Sequence, residues 1–281
     1  MGYRFKLIGY PISHSLSPWI HKEFLDKSKI QGTYTMHEIK PTDSFEESMI
    51  LLKNEQIDGF NITVPYKQDV IPHLDILDDT AKAMGAVNTV VNQDGKWVGY
   101  NTDGIGYLRS LESKYPELLR DKEIRVLLLG AGGAARAIYF ALATANFKNI
   151  DIANRTKSSA EVIAGNSSQP RSTNILSLEE AEQILGKYDL IIQTTSVGMK
   201  PNEDQTIISP DRIKKNAIVS DIVYQPLETK FLREAAERGA KTHHGHTMLL
   251  YQALYAFEIW TNKKIIIDDL EIKLKALLEG R

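Results

Sequence analysis

With 281 residues, 42% of them hydrophobic, the chain has apolar material for more than one core, and two domains are expected. Its 34 basic and 36 acidic residues leave a net charge of −2, which lacks the cationic excess of a nucleic-acid binder and favours a small-molecule partner. It has no cysteine, so disulfides, thiolate nucleophiles and cysteine-ligated zinc are excluded, and redox chemistry would need a bound cofactor.

The N-terminal stretch MGYRFKLIGYPISHS has no long apolar segment behind its basic residues, and Lys6 stands where a myristoylation signal has Ser or Thr. No export signal or lipid anchor is expected, and the reading is cytoplasmic. Up to about residue 105, the strand-like runs FKLIG, TYTMHEI and FNITV alternate with helical stretches across Gly, Pro and polar turns. That is the pattern of an α/β, mostly parallel, helix-covered sheet. In NITVPYK, Ile62 and Val64 alternate with Asn61 and Thr63 as in a strand, which ends at Pro65 and delivers Lys67 to its tip. AVNTVVNQ and KWVGYN flank Asp94-Gly95, so a hairpin closes this half.

From Glu123, EIRVLLLGAGGAARAIYFALATANFKNIDIANRT reads as an apolar strand, a glycine-rich turn, an alanine-rich helix and a second strand, one βαβ unit. Gly130, Gly132 and Ala135 match G-x-G-x-x-A. The first glycine permits the tight turn, the second lets a diphosphate approach the backbone, and the small third residue allows close helix-to-strand packing. Free N–H groups at the helix start then meet the anion. An NAD site would place Asp or Glu about 20 residues on, against the ribose hydroxyls. Here the strand ends with Asn154, Arg155, Thr156 and Lys157, so a guanidinium able to pair with a 2′-phosphate replaces the carboxylate, and NADP(H) is the expected cofactor. The plain structural alternative, a basic helix start, would oppose the helix dipole.

Further strands are expected at LIIQTTS and AIVSDIVY, and helices at SLEEAEQILGKY and TKFLREAAERG. The polar stretches AGNSSQPRST from Ala164 and KPNEDQ from Lys200 read as the least ordered parts. The run MLLYQALYAFEIW from Met248 is interrupted by Gln252 and Glu258 and falls short of the roughly 20 residues of a membrane helix, so it reads as a buried helix. Helical patterns over 248–262 and 267–279 end the chain without another strand, which suits packing back onto the first half.

Hydride transfer to or from a secondary alcohol leaves a proton to be moved. Lys67 suits that task, because a lysine pKa falls on partial burial and a neighbouring carboxylate can orient the ammonium. The candidate carboxylate is Asp103 in YNTDG. Taken singly, the lysine is an ordinary surface group and the aspartate an ordinary helix cap.

The segments GYPISHSLSP, NITVPYK, GAVNTV, NTDG, GAGGAARA, ANRT, TTSVGM, DIVYQP and GHTMLLYQA, in that order, resemble the shikimate dehydrogenase family almost end to end. The resemblance implies reversible NADPH-dependent reduction of 3-dehydroshikimate to shikimate, on the route to aromatic amino acids. It implies Lys67 and Asp103 as the catalytic pair, Ser15 and Ser17 on the substrate carboxylate, and Thr63, Asn88 and Gln252 on its hydroxyls, with Tyr224 approaching from the cofactor domain. Many small polar groups suit a polyhydroxylated acid, since unpaired buried donors are costly. The implied cofactor residues are Gly130, Ala131, Gly132, Gly133, Ala134, Asn154, Arg155, Thr156, Lys157, Ile222 and Gly245.

The implied architecture is an N-terminal substrate domain, 1–105, a Rossmann-like NADP-binding domain, 106–243, and C-terminal helices, 244–281, that return to the first domain across a cleft that opens and closes. Partners beyond the substrate are not expected: no nucleic acid, no membrane, no metal, and a monomer or homodimer. The family's G-x-G-M is G-H-T-M here, with His246 and Thr247 as departures. A zinc site at His243, His244 and His246 is set aside, because strand neighbours face opposite ways and no carboxylate adjoins them. His14 is read as structural. The competing readings are a quinate/shikimate relative using NAD, against which Arg155 argues, and a catalytically silent NADP-binding sensor, against which intact Lys67 and Asp103 argue.

Overall fold

The computed structural model describes residues 2–165 and 173–280; residues 166–172, within the polar stretch that begins at Ala164, lie outside it. The chain forms two compact units, Met1–Thr102 with Gln252–Ile267, and Asp103–Tyr251 with Asp268–Arg281.

The first unit contains β1 (Tyr3–Gly9), α1 (Ser17–Ser28), β2 (Gly32–Glu38), α2 (Phe45–Asn54), β3 (Gly59–Ile62), β4 (Ile76–Leu77), α3 (Asp79–Met84), β5 (Thr89–Gln93) and β6 (Lys96–Tyr100). Its sheet has the order β2-β1-β3-β5-β6-β4. The strands β1, β2 and β3 run parallel, as the βα rhythm predicts, while β5 pairs antiparallel with both β3 and β6. The β5–β6 turn is the expected Asp94-Gly95, with positive φ at both residues (52° and 85°), the conformation a two-residue hairpin needs. Ile8, Phe60, Ile62, Val90 and Trp97 fill one core layer of the sheet.

In NITVPYK the expected alternation fails. The strand stops at Ile62, Val64 is 66% exposed, and Asn61 and Ile62 are both buried. A central strand covered on both faces buries consecutive residues, so period-two patterning is lost there.

The second unit contains α4 (Asp103–Lys114), β7 (Arg125–Leu129), α5 (Gly133–Thr144), β8 (Asn149–Ala153), α6 (Lys157–Gly165), β9 (Ile175–Leu176), α7 (Leu178–Gln183), β10 (Leu190–Gln193), β11 (Ile218–Asp221), α8 (Lys230–Glu237), β12 (Lys241–His243), the start of α9 (Gly245–Thr261) and α10 (Asp268–Glu279). Its sheet is parallel throughout, in the order β12-β11-β10-β7-β8-β9. Counted from the first strand of this unit, that is the doubly wound dinucleotide-binding order. Its central strands β7 and β10 are near-continuous apolar runs, as buried parallel strands must be.

The helix α9 begins earlier than the pattern from Met248 indicated, so Gly245, His246 and Thr247 form its first turn. Its later residues do join the first unit: Trp260 stacks on Phe5 at 4.4 Å and its Nε1 donates to Val90 O at 2.8 Å. The last helix does not follow the expected grouping. It belongs to the second unit, where Leu270, Leu274 and Leu278 are buried and Glu271 approaches His246. Among the described residues no helix is long and apolar enough to cross a membrane.

Candidate active site

Six of the expected substrate residues lie in the first unit, on loops at strand ends and on α9. Ser15 and Ser17 are brought together at the start of α1, where Ser15 Oγ accepts from Ser17 N at 3.2 Å. Thr63 follows β3 and donates its N–H to Ile8 O at 2.9 Å, and the turn beyond it brings Lys67 back beside Val87, whose N–H donates to Lys67 O at 2.8 Å. The Lys67 side chain is half-buried, with a partner. Gln252, on α9, belongs to the same unit.

Asn88, next to Val87, is buried at the centre of a polar cluster. Its Oδ1 accepts from Thr102 N at 2.8 Å and its Nδ2 donates to Thr102 Oγ1 at 2.9 Å. Thr89 Oγ1 donates to Asn88 Oδ1 at 3.0 Å and accepts from Asn61 Nδ2 at 3.1 Å, while Asn61 Oδ1 accepts from Tyr34 OH at 2.8 Å. Buried polar groups are tolerable only when their partners are supplied, and this network supplies them. It fixes the chain at Thr102, and Asp103 follows as the first residue of α4, in the second unit.

In the second unit the glycine loop has the geometry a diphosphate needs. Gly130 has φ +115°, and a Cβ there would come within 2.6 Å of Thr194 Oγ1. Only glycine fits that turn. At Gly132 and Gly133 an added Cβ would meet nothing within 4 Å, so the space over the backbone is open. Gly132 caps α5 without a side-chain hydrogen bond, which leaves the first N–H groups of the helix for an anion. Ala131 and Ala134 lie on the same turn.

At the end of β8, Asn154 Nδ2 donates to Thr156 O at 2.8 Å, and Arg155, Thr156 and Lys157 are exposed. The ammonium of Lys157 is taken by Glu180 Oε2 at 2.7 Å, whereas Arg155 has no ion-pair partner among the described residues. The only carboxylate on β8, Asp151, is buried and accepts from Tyr188 OH at 2.8 Å and Asn174 Nδ2 at 2.9 Å. It belongs to the core rather than to a ribose site. The residues present therefore fit a phosphorylated dinucleotide better than an unphosphorylated one.

Ile222 and Gly245 are in close contact, since a Cβ on Gly245 would lie 2.3 Å from Ile222 O. Tyr224 is half-buried just past β11. Around them is a polar knot that the sequence did not single out. Asp221 Oδ2 accepts from Thr229 Oγ1 at 2.7 Å, and its Oδ1 accepts from Val223 N at 2.9 Å and Gln193 Nε2 at 3.3 Å. Burial pushes its carboxyl up to about 6, against the pull of those hydrogen bonds. The signal was present: Gln193 and Asp221 each end an apolar strand run with a buried polar side chain, as Asn61 interrupts one.

Residues 7–90 match the family described as the shikimate dehydrogenase substrate binding domain, residues 113–223 that described as shikimate/quinate 5-dehydrogenase, and residues 245–265 the shikimate 5′-dehydrogenase C-terminal domain. The chain is 56% identical over 276 residues to the shikimate dehydrogenase (NADP(+)) of Oceanobacillus iheyensis, with 98% of each chain covered. Among solved structures it is similar to a shikimate dehydrogenase in complex with NADP+, with TM-score 0.90 and 35% identity over 99% of this chain and 96% of that one. It is also similar to a quinate dehydrogenase from Corynebacterium glutamicum in complex with NAD, with TM-score 0.89 and 27% identity over 100% of this chain and 99% of that one. Since the family matches span both units and the curated similarity runs almost from end to end, this chain belongs to the shikimate dehydrogenase family.

Proposed function

We propose that the chain is an NADP-dependent shikimate dehydrogenase that reversibly reduces 3-dehydroshikimate to shikimate on the route to aromatic amino acids. The observation that carries the reading is the buried cluster around Asn88, which holds the turn bearing Lys67 within the first unit. A proton carrier needs that kind of rigid support, because a misplaced acid or base loses most of its effect.

When bound, NADP(H) supplies or accepts the hydride. Lys67, with Asp103 as its carboxylate partner, gives a proton to the C3 oxygen as the ketone is reduced and takes it back in the reverse direction. Ser15 and Ser17 hold the substrate carboxylate, Thr63, Asn88 and Gln252 its hydroxyls, and Tyr224 completes the substrate set. Gly130, Ala131, Gly132, Gly133 and Ala134 take the diphosphate through backbone N–H groups. Asn154, Arg155, Thr156 and Lys157 take the 2′-phosphate end, and Ile222 and Gly245 complete the cofactor set. We place the enzyme in the cytoplasm as a monomer or homodimer, with neither a nucleic-acid nor a membrane partner.

The test is the absorbance of reduced nicotinamide, followed with purified protein in each pairing of shikimate or quinate with NADP or NAD. Reduction with shikimate and NADP alone is the expected result. Activity with quinate and NAD moves the chain to the quinate-using side of the family. Inactivity in every mixture, from folded protein that still binds NADPH, supports a silent sensor instead.

A further inference from the structure

Within the second unit, where α10 faces the first turn of α9, there is a cavity of about 350 Å³ that the proposed reaction does not use. Its buried wall is His246, whose side chain is only 6% exposed and whose two ring nitrogens have no hydrogen-bond partner among the described residues. The carboxylate of Glu271 stands 4.0 Å from His246 Nε2, outside hydrogen-bond reach. Both nitrogens are also shut off from solvent, so a turn of the imidazole toward the cavity is what would bring an entering group within reach and recover the cost of leaving them unpaired.

His244 lines the same space, its ring 6.1 Å from that of His246. Burial first, then for His246 the neighbouring His244, and for both the ammoniums of Lys114 and Lys275, hold the two imidazoles neutral, each near 4. They therefore meet a ligand as one donor and one acceptor apiece. The mouth carries both signs of charge: Lys114 from the end of α4 and Lys275 from α10, against Glu228 beyond β11 and Glu271 and Glu279 on α10, the last standing 3.8 Å from Lys275 Nζ.

That mixture discriminates among ligands. A simple anion is drawn by the lysines but meets the glutamates, and a metal cation meets the lysines. No group of three or more metal-ligating side chains converges among the described residues. A zwitterion satisfies both, with its carboxylate toward lysine and imidazole N–H and its ammonium toward Glu271 and Glu228. Leu227 adds an apolar wall, and the volume suits a molecule of amino-acid size.

We propose that this cavity is a binding site for a small α-amino acid with an apolar side chain. The site stands independently of the catalytic reading.

Isothermal titration calorimetry of the full chain tests it, with L-phenylalanine and L-leucine as probes, and 3-phenylpropanoate and phenethylamine as single-charge controls. Saturable heat from at least one amino acid and from neither control is expected. The Lys114→Met and Glu271→Gln variants should each weaken that binding by about tenfold or more, the size of one lost charge-assisted contact. Their melting temperature and turnover should match those of the wild type. Silence from both amino acids, equal binding of 3-phenylpropanoate, or unchanged affinity in both variants each overturns the proposal.

Discussion

The two sheets treat their strand ends in opposite ways. In the first unit the ends of β3, β5 and β6 converge on side chains, Asn61, Asn88, Thr89 and Thr102, locked to one another in the interior. In the second unit the ends of β7 and β8 offer backbone: Gly130 N donates to Ala153 O at 2.8 Å, and the space over Gly132 and Gly133 is open. Each region therefore fails in its own way. A site made of interlocked side chains loses chemistry when one group goes, while a site made of bare backbone loses affinity when bulk is added.

The largest effect should come from Lys67→Ala, which removes the proposed proton carrier from the first region and leaves the second untouched. Turnover should fall about a hundred- to ten-thousand-fold, while NADPH affinity, followed by fluorescence titration, stays at the wild-type value. A variant with normal turnover removes Lys67 from the reaction.

Arg155→Ala should raise the Michaelis constant for NADP about tenfold or more, the cost of losing a charged contact to phosphate, and leave that for shikimate alone. Lys157→Ala should do less, because its ammonium is already shared with Glu180. If Arg155→Ala raises both constants alike, the guanidinium does not serve the phosphate.

The glycines separate affinity from stability inside the second region. Gly132→Ala has room for its methyl group, so the melting temperature should hold while NADP binding weakens. Gly130→Ala forces a side chain into a positive φ and against Thr194, and should cost roughly 1–3 kcal/mol in unfolding free energy. Equal melting temperatures for the two variants would show that the tight turn tolerates a side chain.

What the sequence revealed follows the same division. The glycine loop, the βαβ unit and the Asp94-Gly95 hairpin were legible because each is written in consecutive residues, where turn chemistry and periodicity act. Lys67, Asp103 and Arg155 also carried a chemical argument of their own, whereas Ser15, Thr63, Asn88, Tyr224 and Gln252 came only through the ordered family motifs. The Asn88 cluster was not legible. Its partners Thr102 and Asn61 lie 14 and 27 residues away, and a polar residue ending an apolar run looks locally like the start of a loop. Val64 was misplaced for a related reason, since burial at a central strand is decided by what covers the sheet. The α10 helix has an amphipathic pattern that states that it packs, and not onto which unit.

The smallest effect separates two buried histidines, one in each unit, that share a pKa lowered to about 3 chiefly by burial. Each holds its proton more readily unfolded, near 6.5, than folded. Each therefore contributes stability that is full above about 6.5 and is lost progressively as pH falls toward 3. Their neutral-pH roles differ. His21 stacks on Tyr34 at 4.3 Å, and its polar neighbour Asn61 is already committed to Tyr34, Asn88 and Thr89. His243 shares hydrogen bonds with Ser220 Oγ at 2.8 Å and Thr247 Oγ1 at 3.1 Å. The change His21→Phe should thus alter neutral-pH stability by less than about 1.5 kcal/mol, as a shape-conserving swap, and flatten the acid limb of a melting curve series. The change His243→Phe should flatten that limb too, yet lower stability at every pH by about 1–3 kcal/mol, because Ser220 and Thr247 are left unpaired. Matching losses at neutral pH would mean that His21 holds a hydrogen bond of equal worth, and that the first unit depends on its imidazole as much as the second does on His243.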